Sequence, residues 1–249
     1  MPHQYQTHTR RIQWAPRLTP AVKWLIITNA IVFAVEFILV QKAPRAFLEF
    51  LHALGLVPFL AVLRGHLWQF FTYMFLHDPG FGHLFWNMLM LFFLGPHLER
   101  TFGSRGFLRY YFVTGIGAGV IQCLAAFIAG TSTTPAIGAS GALFGLLAAY
   151  GVLFPDTVFY LYLLFPIKAR TLVLVLAALS LFFGVAGAQG QVAHFAHLGG
   201  ALVGYLYLKR AWRLRPFFHD LRWKAQRARF RVMDGDRTRK EEDDPFRWH

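Results

Sequence analysis

Apolar residues in this chain come in uninterrupted runs close to the length that crosses a bilayer, and this settles the fold class before any motif is read. A helix needs about 20 apolar residues to span the hydrocarbon core. Inside that core every backbone N–H and C=O must be bonded internally, which leaves only helices and closed barrels. Barrel strands alternate apolar and polar residues, whereas the runs here are continuous. Of the 249 residues, 56% are hydrophobic and 15% charged, against roughly 25% charged in a soluble domain. We therefore expect an all-α, polytopic membrane protein. The formal charge of +13 does not point to nucleic acid, because the basic residues sit in the tails and in loops on one side. The one cysteine, Cys123, lies mid-run, so no internal disulfide is expected.

Six spans can be laid out. A polar, basic tail over residues 1–20, with no apolar core of a signal peptide, precedes span one, Ala21 to Val40, which carries one acid, Glu36. An aromatic-rich outer loop follows over 42–82 and reads as short helices lying in the interface. Span two runs from His83 to Leu98, closed by Gly95-Pro96 and the charges of Glu99 and Arg100. Span three covers Phe107 to Ala129. The uncharged loop Gly130–Ile137 leads to span four, Ser140 to Phe154, ended by Pro155 and Asp156. Residues Val158 to Ile167 are apolar and ambiguous. Span five covers Thr171 to Phe183, and the loop Gly184–Gln191 leads to span six, Val192 to Tyr207. The membrane core is thus residues 21–211, and 212–249 form a basic tail suited to rest on anionic lipid. Arg100, Arg105, Arg109, Lys168 and Arg170 fall on one side, while the two later loops of the other side carry no charge. The positive-inside rule then gives both termini inside. Lys42, Arg45 and Arg64 in the first outer loop follow that rule less well.

Polar and nucleophilic residues at membrane depth are costly and are functional candidates for that reason. Gly138-Ala139-Ser140-Gly141 sets a serine at the start of span four. Span four is about 15 residues, or roughly 22 Å at 1.5 Å per residue, against a core of about 30 Å, and His197 lies about five residues into span six, so both are roughly 8 Å below the outer surface. Gly141 and Gly145 on span four, and Gly200 and Gly204 on span six, have the spacing that lets membrane helices approach closely. Close backbones bring a serine hydroxyl within reach of an imidazole, the minimum equipment for acyl transfer to water. Phe144, one turn below Ser140, can stack on the His197 ring. Oxyanion donors are available from the Ser140 N–H at a helix N-terminus and from His83 and Asn87, one turn apart on span two. A plain packing seam with incidental polar residues is the alternative, and the co-occurrence of three polar groups favours chemistry.

Between residues 21 and 211 the acids are Glu36, Glu49, Asp78, Glu99 and Asp156, none of them placed to orient His197. A Ser–His dyad is expected rather than a triad. Position 142 is alanine and no strand precedes it, so this is not the GxSxG elbow. No metal or cofactor is expected. There is no HExxH motif, His194 and His197 have no carboxylate near them in sequence, and haem ligation leaves the serine unexplained.

Taken together these motifs resemble the rhomboid family of intramembrane serine proteases over residues 20–210. Gly138-Ala139-Ser140-Gly141 resembles the nucleophile motif, Ala196-His197 with Gly200 and Gly204 the general-base motif, and His83 with Asn87 the oxyanion motif. The resemblance implies that Ser140 attacks the scissile carbonyl and His197 takes its proton. It implies that span five and the Gly184–Gln191 loop gate the site, and that substrates are single-span membrane proteins cut near the outer face after small side chains. A bacterial inner membrane is the expected location; nothing in the chain specifies an oligomer. Two places depart from the pattern: Trp68-Gln69 stands where the family has Trp-Arg, and Glu99-Arg100-Thr101 where it has Glu-x-Arg. A non-catalytic binder of membrane helices has no need of Ser140 or His197. A transporter needs charge along a continuous path, whereas the polar cluster here occupies the outer half.

Overall fold

The computed structural model describes residues 17–161, 164–186 and 194–210. The expectations for the tails, for most of the Gly184–Gln191 loop and for the first residues of span six lie outside the described residues. The chain divides after Tyr207 into a large unit, Met1–Tyr207, and a small one, Leu208–His249, of which only residues 208–210 are described.

The architecture is a helical bundle. Helix α1 (Pro20–Lys42) starts with proline at its first position, where the missing N–H costs nothing. Its polar residues Asn29 and Glu36 are buried, while Trp24, Ile31 and Ile38 face outward. The outer loop then folds as α2 (Pro44–Leu54), a π turn at Phe59–Leu63, and α3 (Gln69–Thr72) running into a 3₁₀ turn at Tyr73–Phe75. Three further helices follow: α4 (Phe81–Phe102), α5 (Ser104–Ile128) and α6 (Ser140–Leu153). After a β-hairpin come α7 (Ala169–Val185) and a last helix, α8, over residues 194–210. Helices α1 and α5 are long and apolar enough to cross a membrane; α6 and α7 are shorter apolar helices.

One expectation needs correction, and one ambiguity is resolved. Span two does not close at Gly95-Pro96, because α4 continues through Pro96 to Phe102. A proline removes one ladder bond, and here tertiary contacts offset that loss. Gly95 lets α1 approach so closely that a Cβ there would lie 2.5 Å from Val22. One turn on, the Glu99 carboxylate accepts the N–H groups of Ala21 and Val22 at 3.0 Å each, and the hydroxyls of Thr19 and Ser104. Those N–H groups belong to the unpaired first turn of α1, so one side chain closes the start of one helix and holds the end of another. The chain turns into α5 at Gly103, whose φ of 72° only glycine adopts without strain. Second, the ambiguous stretch 158–167 is neither span nor loop. Strands β1 (Val158–Leu161) and β2 (Phe165–Lys168) pair antiparallel, with Val158 opposite Lys168 and Leu161 opposite Phe165. The β-branched and aromatic residues Val158, Phe159 and Tyr160 suit a strand better than a helix.

Helix α6 sits at the centre. It is apolar on every face and nine of its 14 residues are buried, as expected of a helix enclosed by others. Its glycines set how closely the neighbours come. A Cβ on Gly145 would lie 2.5 Å from Thr114 of α5, and one on Gly204 of α8 would lie 3.1 Å from the Gly145 backbone. A Cβ on Gly200 would overlap the Gly141 carbonyl.

Because the Gly200 contact is backbone against backbone, no rotamer change relieves it. Gly200→Ala is expected to cost about 1–3 kcal/mol or more through overpacking. Gly82→Ala, on α4 with nothing near its Cβ position, is expected to be neutral or slightly stabilising. Unfolding midpoints of the two variants in mild detergent check this, and equal midpoints contradict it.

Candidate functional site

The site is assembled where the loop before α6 meets α4 and α8. Two backbone ladders fix the loop: Leu56 and Ala136 exchange N–H···O bonds of 2.9 and 2.8 Å, and the Phe59 N–H reaches Ser132 at 2.8 Å. The Gly138 N–H then donates to the Tyr73 carbonyl at 2.9 Å. Gly138 has φ 121°, closed to ordinary side chains. That conformation delivers Ser140 as the first residue of α6, half-buried rather than sealed.

His197 lies on α8 with Nε2 at 2.8 Å from Ser140 Oγ. The geometry suits an O–H donating to an unprotonated Nε2, which puts the ring proton on Nδ1. Phe144 stacks on the imidazole with ring centroids 4.3 Å apart and planes 3° from parallel. His194 stands edge-on at 6.1 Å. Among the described residues no carboxylate hydrogen-bonds to His197. Gly141 and Gly200 in contact set the distance between the two helices, and Gly145 with Gly204 repeats the contact one turn further in.

His83 approaches from α4. A Cβ on Gly138 would be 2.9 Å from His83 Nε2 and 3.8 Å from Ser140 Oγ, so imidazole and hydroxyl share the space the glycine leaves. His83 Nδ1 accepts the Asp78 N–H at 3.2 Å. Asn87 is buried and donates one amide N–H to the His83 carbonyl at 2.9 Å, with its second amide hydrogen left over. The structure thus brings Ser140, His197, Phe144, Gly138 and His83 together, with Asn87 a turn along the same helix.

The contacts of several further residues escaped the sequence reading. Gln69, in place of the family's arginine, is fully buried. Its Nε2 donates to the His52 carbonyl at 2.7 Å and its Oε1 accepts the Val57 N–H at 3.1 Å. The neighbouring Trp68 indole N–H donates to the Ala53 carbonyl at 2.9 Å. The departure therefore leaves the outer loop tied down by a neutral side chain. At the other departure, Arg100 donates to the Arg17 carbonyl at 2.8 Å. Glu36 of α1 accepts the His77 N–H with both carboxylate oxygens, at 3.1 and 3.0 Å. The His77 ring packs edge-on against His83 at 5.1 Å. Burial, with His83 beside it, pushes His77 down to about 4, so that ring is neutral at pH 7. A signal existed for Glu36, since an acid inside an apolar run demands a partner, but its partner is a backbone group that no pattern marks.

These features define a class: an integral membrane protein, a helical bundle in which a serine and a histidine on adjoining apolar helices share a hydrogen bond. The chain belongs to the rhomboid family, whose Rhomboid domain matches residues 64–213. It is 31% identical over 172 residues to RHOMBOID-like protein 4 of Arabidopsis thaliana, covering 68% of this chain and 41% of that protein. It is 30% identical over 152 residues to the putative rhomboid protease YdcA of Bacillus subtilis, covering 61% and 72%. It is 32% identical over 161 residues to the rhomboid protease GluP of the same organism, covering 63% and 28%. The chain spans half or less of the length of the plant relatives RHOMBOID-like proteins 4 and 5.

Replacing Gln69 by alanine leaves the Val57 N–H and the His52 carbonyl without their partner inside a packed loop. Each orphaned buried group costs about 1–3 kcal/mol. The Gln69→Ala protein should melt at a lower temperature than wild type by scanning calorimetry in detergent. An unchanged transition would show that the loop is anchored elsewhere.

Proposed function

We propose that this chain is an intramembrane serine endopeptidase acting through a Ser140–His197 dyad. The observation that carries the reading is the 2.8 Å contact between His197 Nε2 and Ser140 Oγ. Family membership supports it, as do relatives named as proteases. In this reading the helices α1, α4, α5, α6, α7 and α8 are six spans with both termini inside. The site then lies toward the outer face, in a bacterial cell membrane. The membrane domain is residues 21–211, with the outer loop over 42–82 and tails over 1–20 and 212–249.

The proposed reaction runs in two halves. Ser140 Oγ attacks the scissile carbonyl carbon as its proton passes to His197 Nε2. Negative charge develops on the carbonyl oxygen, within reach of the Ser140 N–H at the α6 N-terminus and of the His83 and Asn87 side chains. The intermediate collapses, the C–N bond breaks, and the His197 proton goes to the departing amine. Water then attacks the acyl ester, giving its proton to His197, and Ser140 is released with its proton restored. Phe144 stacks on the face of the imidazole and holds its orientation, a task that a carboxylate at Nδ1 performs in a triad. The substrate is the transmembrane segment of a single-span protein, cut after a small side chain. No cofactor takes part.

The test is cleavage of a model single-span substrate by the full chain in proteoliposomes. Ser140→Ala and His197→Ala should each lose at least about a thousandfold in kcat, since members of such a unit fail together. Labelling by a fluorophosphonate should vanish in both. Cleavage by either variant at the wild-type rate would sink the mechanism. Phe144→Leu keeps the volume but removes a ring stack of about 0.5–1.5 kcal/mol, so its kcat should fall up to roughly tenfold with KM unchanged.

A further inference from the structure

We propose that Glu36 is a positioning residue for His83, fixing through the His77–Gly80 loop which nitrogen of that imidazole carries its proton. The inference rests on the reading above in which His83 serves the oxyanion.

The chain of contacts is short. The Glu36 carboxylate, fully buried on α1, accepts the His77 N–H with both oxygens, at 3.1 and 3.0 Å. The next peptide N–H, that of Asp78, donates to His83 Nδ1 at 3.2 Å. Around this bond the loop is closed by its own contacts. Asp78 Oδ1 accepts the Gly80 N–H at 2.8 Å, and the His83 N–H reaches the Gly80 carbonyl at 3.2 Å. Pro79 follows Asp78, which keeps residue 78 out of helical backbone geometry. The loop has one tie to α1 in this network, and it is Glu36.

The consequence is chemical. A neutral imidazole has one N–H and one bare nitrogen, and the partner of one decides the state of the other. With a backbone N–H on Nδ1, the ring proton belongs on Nε2. Nε2 is the nitrogen beside Gly138, in the space it shares with Ser140 Oγ. His83 is then a neutral donor aimed where the carbonyl oxygen gains charge. In the other tautomer Nε2 is a bare lone pair, which repels that charge. A carboxylate in a membrane helix is costly, and a single loop N–H is a small return for packing alone. Its place next to the peptide that selects the His83 tautomer gives the cost a use.

The experiment uses the full chain in nanodiscs with ¹⁵N-labelled histidine. In wild type the His83 ring should show Nε2 protonated and Nδ1 bare. Glu36→Leu should give a mixed tautomer. Its kcat should fall roughly tenfold or more, short of the 10²–10³ for losing an oxyanion donor outright, with KM within about twofold. Glu36→Gln keeps one carbonyl oxygen for the His77 N–H. It should hold the wild-type tautomer and stay within about threefold in kcat. The His83 ring nitrogens are a readout that a merely structural role would not move. Nδ1 protonated in wild type overturns the proposal, even if Glu36→Leu fails to fold. So does an unaltered tautomer in Glu36→Leu, or an altered one with kcat unchanged. Undiminished cleavage by Ser140→Ala removes the protease reading instead, and the tautomer result still stands or falls by itself.

Discussion

Everything at the site depends on one contact with no side chain in it, the meeting of Gly141 and Gly200. Helices in lipid gain nothing from burying apolar surface against each other, so their separation is set by packing and by the smallest residues at the seam. Here a Cβ on Gly200 would overlap the Gly141 carbonyl. With α6 and α8 that close, the two shortest polar reaches available, a serine hydroxyl and an imidazole nitrogen, meet at 2.8 Å. Moving the helices apart by a methyl group's width breaks that hydrogen bond before it disturbs much else. Gly145 and Gly204 repeat the approach one turn further in, which fixes the angle as well as the distance.

The parts of this arrangement that can be read from the chain are those that violate the apolar pattern. Ser140, His197, His83 and Asn87 stand out because a bilayer tolerates few such groups, and glycines four apart stand out for the same reason in reverse. The stacking of Phe144 on His197 follows from helical spacing. Three features resisted reading. Helix α4 runs through Pro96 because Glu99 binds the start of α1, about 78 positions away in sequence. The hairpin at 158–168 lies at the limit of length where apolar runs fit helix or strand. Gln69 anchors the outer loop through backbone groups at positions 52 and 57. In each case the deciding partner is a main-chain N–H or C=O, and every residue carries those, so no residue type announces them.

That observation extends to the acids as a group. Glu36 and Glu99 are both buried in helices, and neither is paired with a cation among the described contacts. Glu99 accepts two backbone N–H groups and Glu36 one, each of which would otherwise be unbonded in an apolar setting, where an orphan costs most. The ion pairs of Asp156 with Lys168 and with Arg170 are exposed at the foot of the hairpin and contribute little. Buried carboxylates here serve as fasteners between elements. Among the described residues none stands behind His197, and that ring is held by Phe144 and a glycine seam.

The same bookkeeping of burial separates what is fixed from what can move. Helix α6 buries nine of its 14 residues, whereas α7 buries four of its 17: Ala169, Leu172, Ser180 and Gly184. Leu174, Leu181, Phe182 and Val185 all face outward. An element with so few buried residues costs less to displace than α6 does. In the proposed reaction a substrate helix must reach Ser140 from the lipid without parting α6 from α8, because that seam sets the hydrogen bond. In that proposal a route past α7 meets the requirement, since α7 buries fewer of its residues than α6 and the Gly141–Gly200 contact is left intact.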